Sequence, residues 1–97
     1  MSQIKSIGVI GAGQMGRGIA QVASFCGYDV RLFDIDAAAV NRGISFIDDQ
    51  LKKGVAKGKW SEAEQAACLK RISGVTSLGD LSGCQLVIEA ATEKKEI

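Results

Sequence analysis

The sequence predicts an α/β protein: a parallel sheet with a helical hairpin inserted between its second and third strands. Three observations predict it. A β-branched apolar run, Ile4-Lys5-Ser6-Ile7-Gly8-Val9-Ile10, ends directly at a glycine. Apolar residues then return at helical spacing as Met15, Ile19, Val22, Ala23 and Cys26. A second short apolar run, Asp29-Val30-Arg31-Leu32-Phe33-Asp34, follows Gly27. Strand, glycine turn, helix, strand is the opening unit of a parallel sheet.

Each element has a local reason. The first strand is apolar at nearly every position, as expected for a strand covered on both faces. Gly27 supplies a stop for the first helix. Val40, Ile44, Ile47 and Leu51 share one face of a helix from about Asp36 to Lys53. The stretch Lys52-Lys53-Gly54-Val55-Ala56-Lys57-Gly58-Lys59 interrupts it with two glycines. Ser61 with Glu64 three residues on matches a capping box, so a second helix runs from Ser61 to about Arg71. Val75-Thr76-Ser77 reads as a third strand and Leu86-Val87-Ile88-Glu89 as a fourth. Glu93 to Ile97 has the composition of an opening helical turn. The expected strand order is 3-2-1-4. In that order Leu86 to Ile88 forms an exposed apolar edge.

Composition narrows the function. The 97 residues suffice for one domain, and 46% hydrophobic with 24% charged residues marks a folded chain. A net charge of +1 gives no general drive toward nucleic acid. No apolar run approaches the length of about 18 residues that a membrane span needs, and the N-terminus shows no secretory signal. The three cysteines, Cys26, Cys68 and Cys84, form no C-x-x-C pair, and histidine is absent. That pattern argues against a metal site and fits reduced thiols in the cytoplasm. It also excludes Ser-His and Cys-His nucleophilic machinery within these residues.

Gly11-Ala12-Gly13-Gln14-Met15-Gly16 fits G-x-G-x-x-G and sits between a strand and a helix, where that motif has a physical meaning. The first glycine permits the tight turn. The second lets backbone approach a pyrophosphate, and the third lets helix and strand pack closely. The helix N-terminus then presents free N–H groups to phosphate. Asp34 ends the second strand at nearly the usual distance of roughly 20 residues past the glycines. Its carboxylate can accept hydrogen bonds from ribose hydroxyls and repels a 2′-phosphate, which favours NAD over NADP. The lysine run Lys52, Lys53, Lys57, Lys59 is less specific. Such clusters are usually solvated surface, though they can also hold a phosphorylated ligand. Trp60 suits packing at the hairpin better than stacking on a ligand.

The string from Gly11 to Gln21, with methionine before the third glycine and Gly18-Ile19-Ala20-Gln21 after it, resembles the glycine loop of 3-hydroxyacyl-CoA and 3-hydroxybutyryl-CoA dehydrogenases. Val30 to Asp36, the Lys57-Gly58-Lys59 tip followed by Trp60-Ser61-Glu62, and Leu86 to Glu93 agree with the same family in order. The resemblance implies a Rossmann domain binding NAD, here partial. Residues 1–97 would be its N-terminal part, ending before a C-terminal domain for substrate and homodimer contacts. It places the pyrophosphate on Gly11 to Gly16, including Ala12, Gln14 and Met15, and the ribose on Asp34. Ala90 and Glu93 fall on the nicotinamide side. Lys57 matches a hairpin lysine that contacts the CoA portion of an acyl-CoA, and Gln50 stands where some relatives carry a CoA-contacting serine. The implied activity is NAD-dependent oxidation of L-3-hydroxyacyl-CoA. Its histidine base lies later in the family's sequence, so no catalytic residue is expected here and the chain alone is expected to be inactive. Two other readings carry weight. One is a β-hydroxyacid dehydrogenase of the 3-hydroxyisobutyrate or 6-phosphogluconate type, which normally lacks a lysine-tipped hairpin. The other is a non-catalytic nucleotide-binding module.

Overall fold

In the computed structural model, residues 4–90 are described. Four parallel strands, β1 (Ser6–Ile10), β2 (Asp29–Phe33), β3 (Ile72–Val75) and β4 (Leu86–Glu89), lie in the order β3-β2-β1-β4. All three pairings are parallel, with Val9 opposite Leu32 and Ile88, and Leu32 opposite Gly74. This is the half-sheet expected from the sequence.

Helices α1 (Gln14–Phe25), α2 (Ala37–Ala56) and α3 (Glu62–Lys70) cover one face. Side chains alternate along a strand. Ile7 and Val9 of β1 and Val30 and Leu32 of β2 therefore point together into a core with Ala20, Ala23, Val40, Ile47, Leu51 and Cys68. On the opposite face, a short 3-10 turn (Leu78–Leu81) brings Leu81 over Gly8. No helix of the described residues is long and apolar enough to cross a membrane.

Three local expectations need correction. The buried face of α1 is Gly16, Ala20, Ala23 and Ser24, while Met15 and Val22 are 65% and 64% exposed. Small residues face the sheet because the helix lies close to it, so the larger apolar side chains turn outward. Helix α2 does not break at Lys52 but runs to Ala56, with Gly54 inside it. The indole of Trp60 covers Gly54, and a Cβ there would sit 2.0 Å from Cζ2. Trp60 also donates from Nε1 to the Leu51 carbonyl (2.9 Å) and packs against Phe25 at 4.9 Å between ring centroids. Gly54 is thus a packing site, not a breaker. Finally, β3 is Ile72–Val75, earlier than Val75–Ser77. A Cβ at Gly74 would lie 2.4 Å from Val40 Cγ1, so this strand gives up a side chain to let α2 approach, and its apolar signal fades.

The capping box is formed as predicted. Ser61 Oγ accepts from Glu64 N–H at 3.1 Å, and Glu64 Oε1 accepts from Ser61 N–H at 2.8 Å. Leu86 and Val87 at the sheet edge are 41% and 45% exposed. Glu93 and the helical turn expected from Glu93 to Ile97 lie outside the described residues.

Candidate functional site

The chain leaves β1 through Gly11, whose φ of 104° belongs to the region glycine alone visits easily. The Gly11 N–H donates to the Phe33 carbonyl (2.7 Å), and the Ala90 N–H donates to the Ile10 carbonyl (2.8 Å). The ends of β1, β2 and β4 are therefore tied around the loop. Gly13 is the N-cap of α1, and no side chain caps it. A helix N-terminus without a side-chain cap leaves its first N–H groups facing outward with a partial positive charge, a place for an anion. A Cβ on Gly13 would meet no atom within 4 Å, so the space above it is open to a ligand. A Cβ on Gly16 would lie 1.6 Å from the Gly11 carbonyl oxygen. The second glycine thus serves approach from outside and the third serves contact within. Gln14 and Met15 are exposed at the mouth of the loop and Ala12 is buried beneath it.

Asp34 stands beside this loop. Its Oδ2 accepts from the Ala12 N–H (3.0 Å) and its Oδ1 from the Asp36 N–H (3.0 Å). These two backbone bonds hold the carboxyl below its ordinary value of 3.8, against a small opposing effect of burial and with help from Arg42. The group is ionised at neutral pH, and a carboxylate has lone pairs to spare for ribose hydroxyls. The sign of its contribution follows. Because the folded-state pKa is depressed, these bonds stabilise the fold above pH ~4 and are lost as pH falls through the folded pKa.

A second site lies at the hairpin. Gln21, Gln50, Lys53, Gly54, Lys57, Lys59 and Trp60 line a polar cavity of ≈ 260 Å³. The structure sorts the lysine run. Lys52 pairs with Asp48 on its own helix at 3.1 Å, whereas Lys53, Lys57 and Lys59 are among the residues that line the cavity. Three lysines lining one polar hollow give it a positive character that suits an anion. Gln50 and Lys57 are thus brought together, apart from the glycine loop, which gathers Gly11 to Gly16, Asp34 and Ala90. Sequence reading missed Gln21 as a cavity residue. Its signal was available only once α1 and α2 were known to lie side by side.

A family model described as "3-hydroxyacyl-CoA dehydrogenase, NAD binding domain" matches residues 6–97. The chain belongs to this family. It is 46% identical over 94 residues to the 3-hydroxybutyryl-CoA dehydrogenase of Bradyrhizobium diazoefficiens, covering 97% of this chain and 32% of the relative. It is 41% identical to the 3-hydroxyadipyl-CoA dehydrogenase of Escherichia coli, covering all of this chain and 20% of the relative. The crystal structure of (S)-3-hydroxybutyryl-CoA dehydrogenase from Ralstonia eutropha superposes with a TM-score of 0.92 at 43% identity, covering 96% of this chain and 33% of that one. The chain spans about a third or less of these relatives' length. Membership in the 3-hydroxyacyl-CoA dehydrogenase family sets aside the β-hydroxyacid dehydrogenase reading. A further hollow, ≈ 560 Å³, runs along the outward face of α1 over Met15, Ile19, Val22 and Cys26. It is apolar and no charged residue lines it.

Proposed function

We propose that this chain forms the cofactor-holding part of an enzyme that oxidises short-chain L-3-hydroxyacyl-CoA, 3-hydroxybutyryl-CoA above all, to 3-oxoacyl-CoA. The observation that supports the reading is that one domain carries both a glycine loop beside an ionised Asp34 and a lysine-lined cavity at the hairpin. NAD, when bound, accepts the hydride from carbon 3 of the substrate. Gly11 to Gly16 receive its pyrophosphate, with Gly13 leaving room for it. Asp34 accepts the adenosine ribose hydroxyls. Ala90 and Glu93 fall on the nicotinamide side. Lys57 and Gln50 hold the CoA portion of the substrate away from that cleft. The histidine base implied by the family resemblance is not among these 97 residues. The working protein is a cytoplasmic homodimer without nucleic-acid or membrane partners. Oxidation of 3-hydroxybutyryl-CoA by the full-length enzyme, followed by NADH absorbance, tests the reading, and failure to reduce NAD overturns it.

Asp34→Ala is expected to weaken NAD binding in calorimetric titration. Loss of the ribose hydrogen bonds costs about 1–3 kcal/mol, the range for such groups left unpaired. The unmodified protein is expected to bind NADP more weakly than NAD, and equal or tighter NADP binding refutes the assignment of Asp34. Lys57→Ala is expected to raise the KM for acyl-CoA and leave NAD affinity alone. The effect is about 1–2 kcal/mol at low salt and shrinks as salt rises. An unchanged KM at low ionic strength would make Lys57 an ordinary surface residue.

A further inference from the structure

Arg17 lies between the glycine loop and the hairpin cavity without lining the latter. It is half-buried on α1, and its guanidinium carbon lies 3.8 Å from the ring centroid of Phe46 on α2. Its Nε is buried and has no hydrogen-bond partner. Arginines fixed for structure alone normally pair their buried N–H groups, because a charged donor left without a partner is costly. Among the described residues, no carboxylate forms an ion pair with it. The Phe46 ring holds the guanidinium by a cation–π contact, and among the described residues no hydrogen bond or ion pair claims its polar end.

Its position in the helix seam says what it serves. Residues four apart are neighbours on a helix face. One turn beyond Arg17 on α1 is Gln21, and one turn beyond Phe46 on α2 is Gln50, and both line the lysine cavity. In the other direction, Arg17 follows Gly16 directly. The Arg17–Phe46 pair is therefore the layer of the α1–α2 seam between the hairpin cavity and the glycine loop. A CoA whose nucleotide end sits in the cavity, and whose thioester must reach the cofactor cleft, passes this layer with its diphosphate.

Resting on the acyl-CoA reading above, we propose that Arg17 binds the diphosphate of CoA. The lysine cavity takes the 3′-phosphate on the adenosine ribose. A planar fork with several N–H donors suits a diphosphate, and stacking on Phe46 reduces the freedom lost on binding. The alternative source of a diphosphate is NAD on the neighbouring loop. The seam favours CoA because the guanidinium lies against α2 and not over the open space at Gly13.

The test is calorimetric titration of the purified protein with CoA, 3′-dephospho-CoA and NAD. Arg17→Met, which keeps a stem over Phe46, is expected to lose roughly ten- to a hundredfold in affinity for CoA and 3′-dephospho-CoA alike. Lys57→Ala is expected to weaken CoA and spare 3′-dephospho-CoA. NAD affinity is expected to stay unchanged in both. If Arg17→Met does not fold, Arg17→Lys replaces it, with a severalfold loss expected for both CoA forms. Unchanged CoA affinity in either folded variant overturns the proposal, as does a loss shared with NAD. If the unmodified protein binds no CoA at all, the acyl-CoA reading itself fails, a result distinct from CoA binding that ignores Arg17.

Discussion

Purified as these 97 residues, the chain is expected to bind NAD weakly and to leave 3-hydroxybutyryl-CoA unoxidised. Removing hydride from carbon 3 requires that the 3-hydroxyl lose its proton, and a general base must stand within about 2.6–3.2 Å of that oxygen. The chain has no histidine. Among the described residues, the ionised carboxylate beside the loop, Asp34, is occupied by the Ala12 and Asp36 N–H groups and is held below its ordinary pKa, which makes it a poor base. General base catalysis accounts for roughly 10²–10⁴ in rate, and orientation of the reactants for about 7–11 kcal/mol of the barrier. Without the first and with the cofactor gripped on one side only, the rate falls to background. The measurement is NADH absorbance with 3-hydroxybutyryl-CoA and NAD. Turnover near that of the full-length enzyme would place a base within these residues and contradict the reading.

A comparably large effect is expected from Gly16→Ala, with Gly13→Ala as its counterpart. At Gly16 the new methyl would lie 1.6 Å from the Gly11 oxygen and 2.7 Å from the Gly11 carbonyl carbon. Both are backbone atoms, so no side-chain rotation relieves the overlap, and α1 must move off β1. Overpacking a tight interior costs about 1–3 kcal/mol, and occasionally more. That is a large share of the 5–15 kcal/mol or so typical of a domain. The thermal midpoint is expected to fall by several degrees, and NAD affinity with it, because the helix N-terminus leaves its place. At Gly13 the methyl meets no protein atom. Gly13→Ala is therefore expected to keep the midpoint and lose NAD affinity alone, since only the ligand competes for that space. Thermal unfolding and NAD titration of the two variants separate the roles. A Gly16→Ala protein with unaltered midpoint and affinity would show that the close contact does not matter.

What the sequence revealed in advance was local or periodic. The glycine loop was legible because turn, ligand approach and helix packing each demand glycine at a fixed place in one short stretch. Asp34 was legible because β2 has a set length, which fixes where its last residue emerges. Strand order followed from the doubly wound architecture that a strand, glycine loop, helix and strand announce. The misses have a common physical origin in contacts between elements. Periodicity put Met15 and Val22 inward, but the side of α1 that meets the sheet is the one with the smallest residues. Gly74 thinned the apolar signal of β3 because α2 needs the room. Gly54 resembled a helix stop until Trp60 was seen lying on it. The lysine run could not be divided by spacing, since Lys52 and Lys53 are adjacent in sequence yet face different partners. Arg17 carried no sequence signal at all; only Phe46 beneath it distinguishes it from a surface arginine.

The bond from Asp34 to the Ala12 N–H joins the end of β2 to the turn after β1 within the protein itself. Its consequence concerns timing. The bond restrains the turn in the absence of ligand, so part of the entropy of ordering it is already lost on folding. An arriving dinucleotide meets a finished surface and keeps more of its contact energy as affinity.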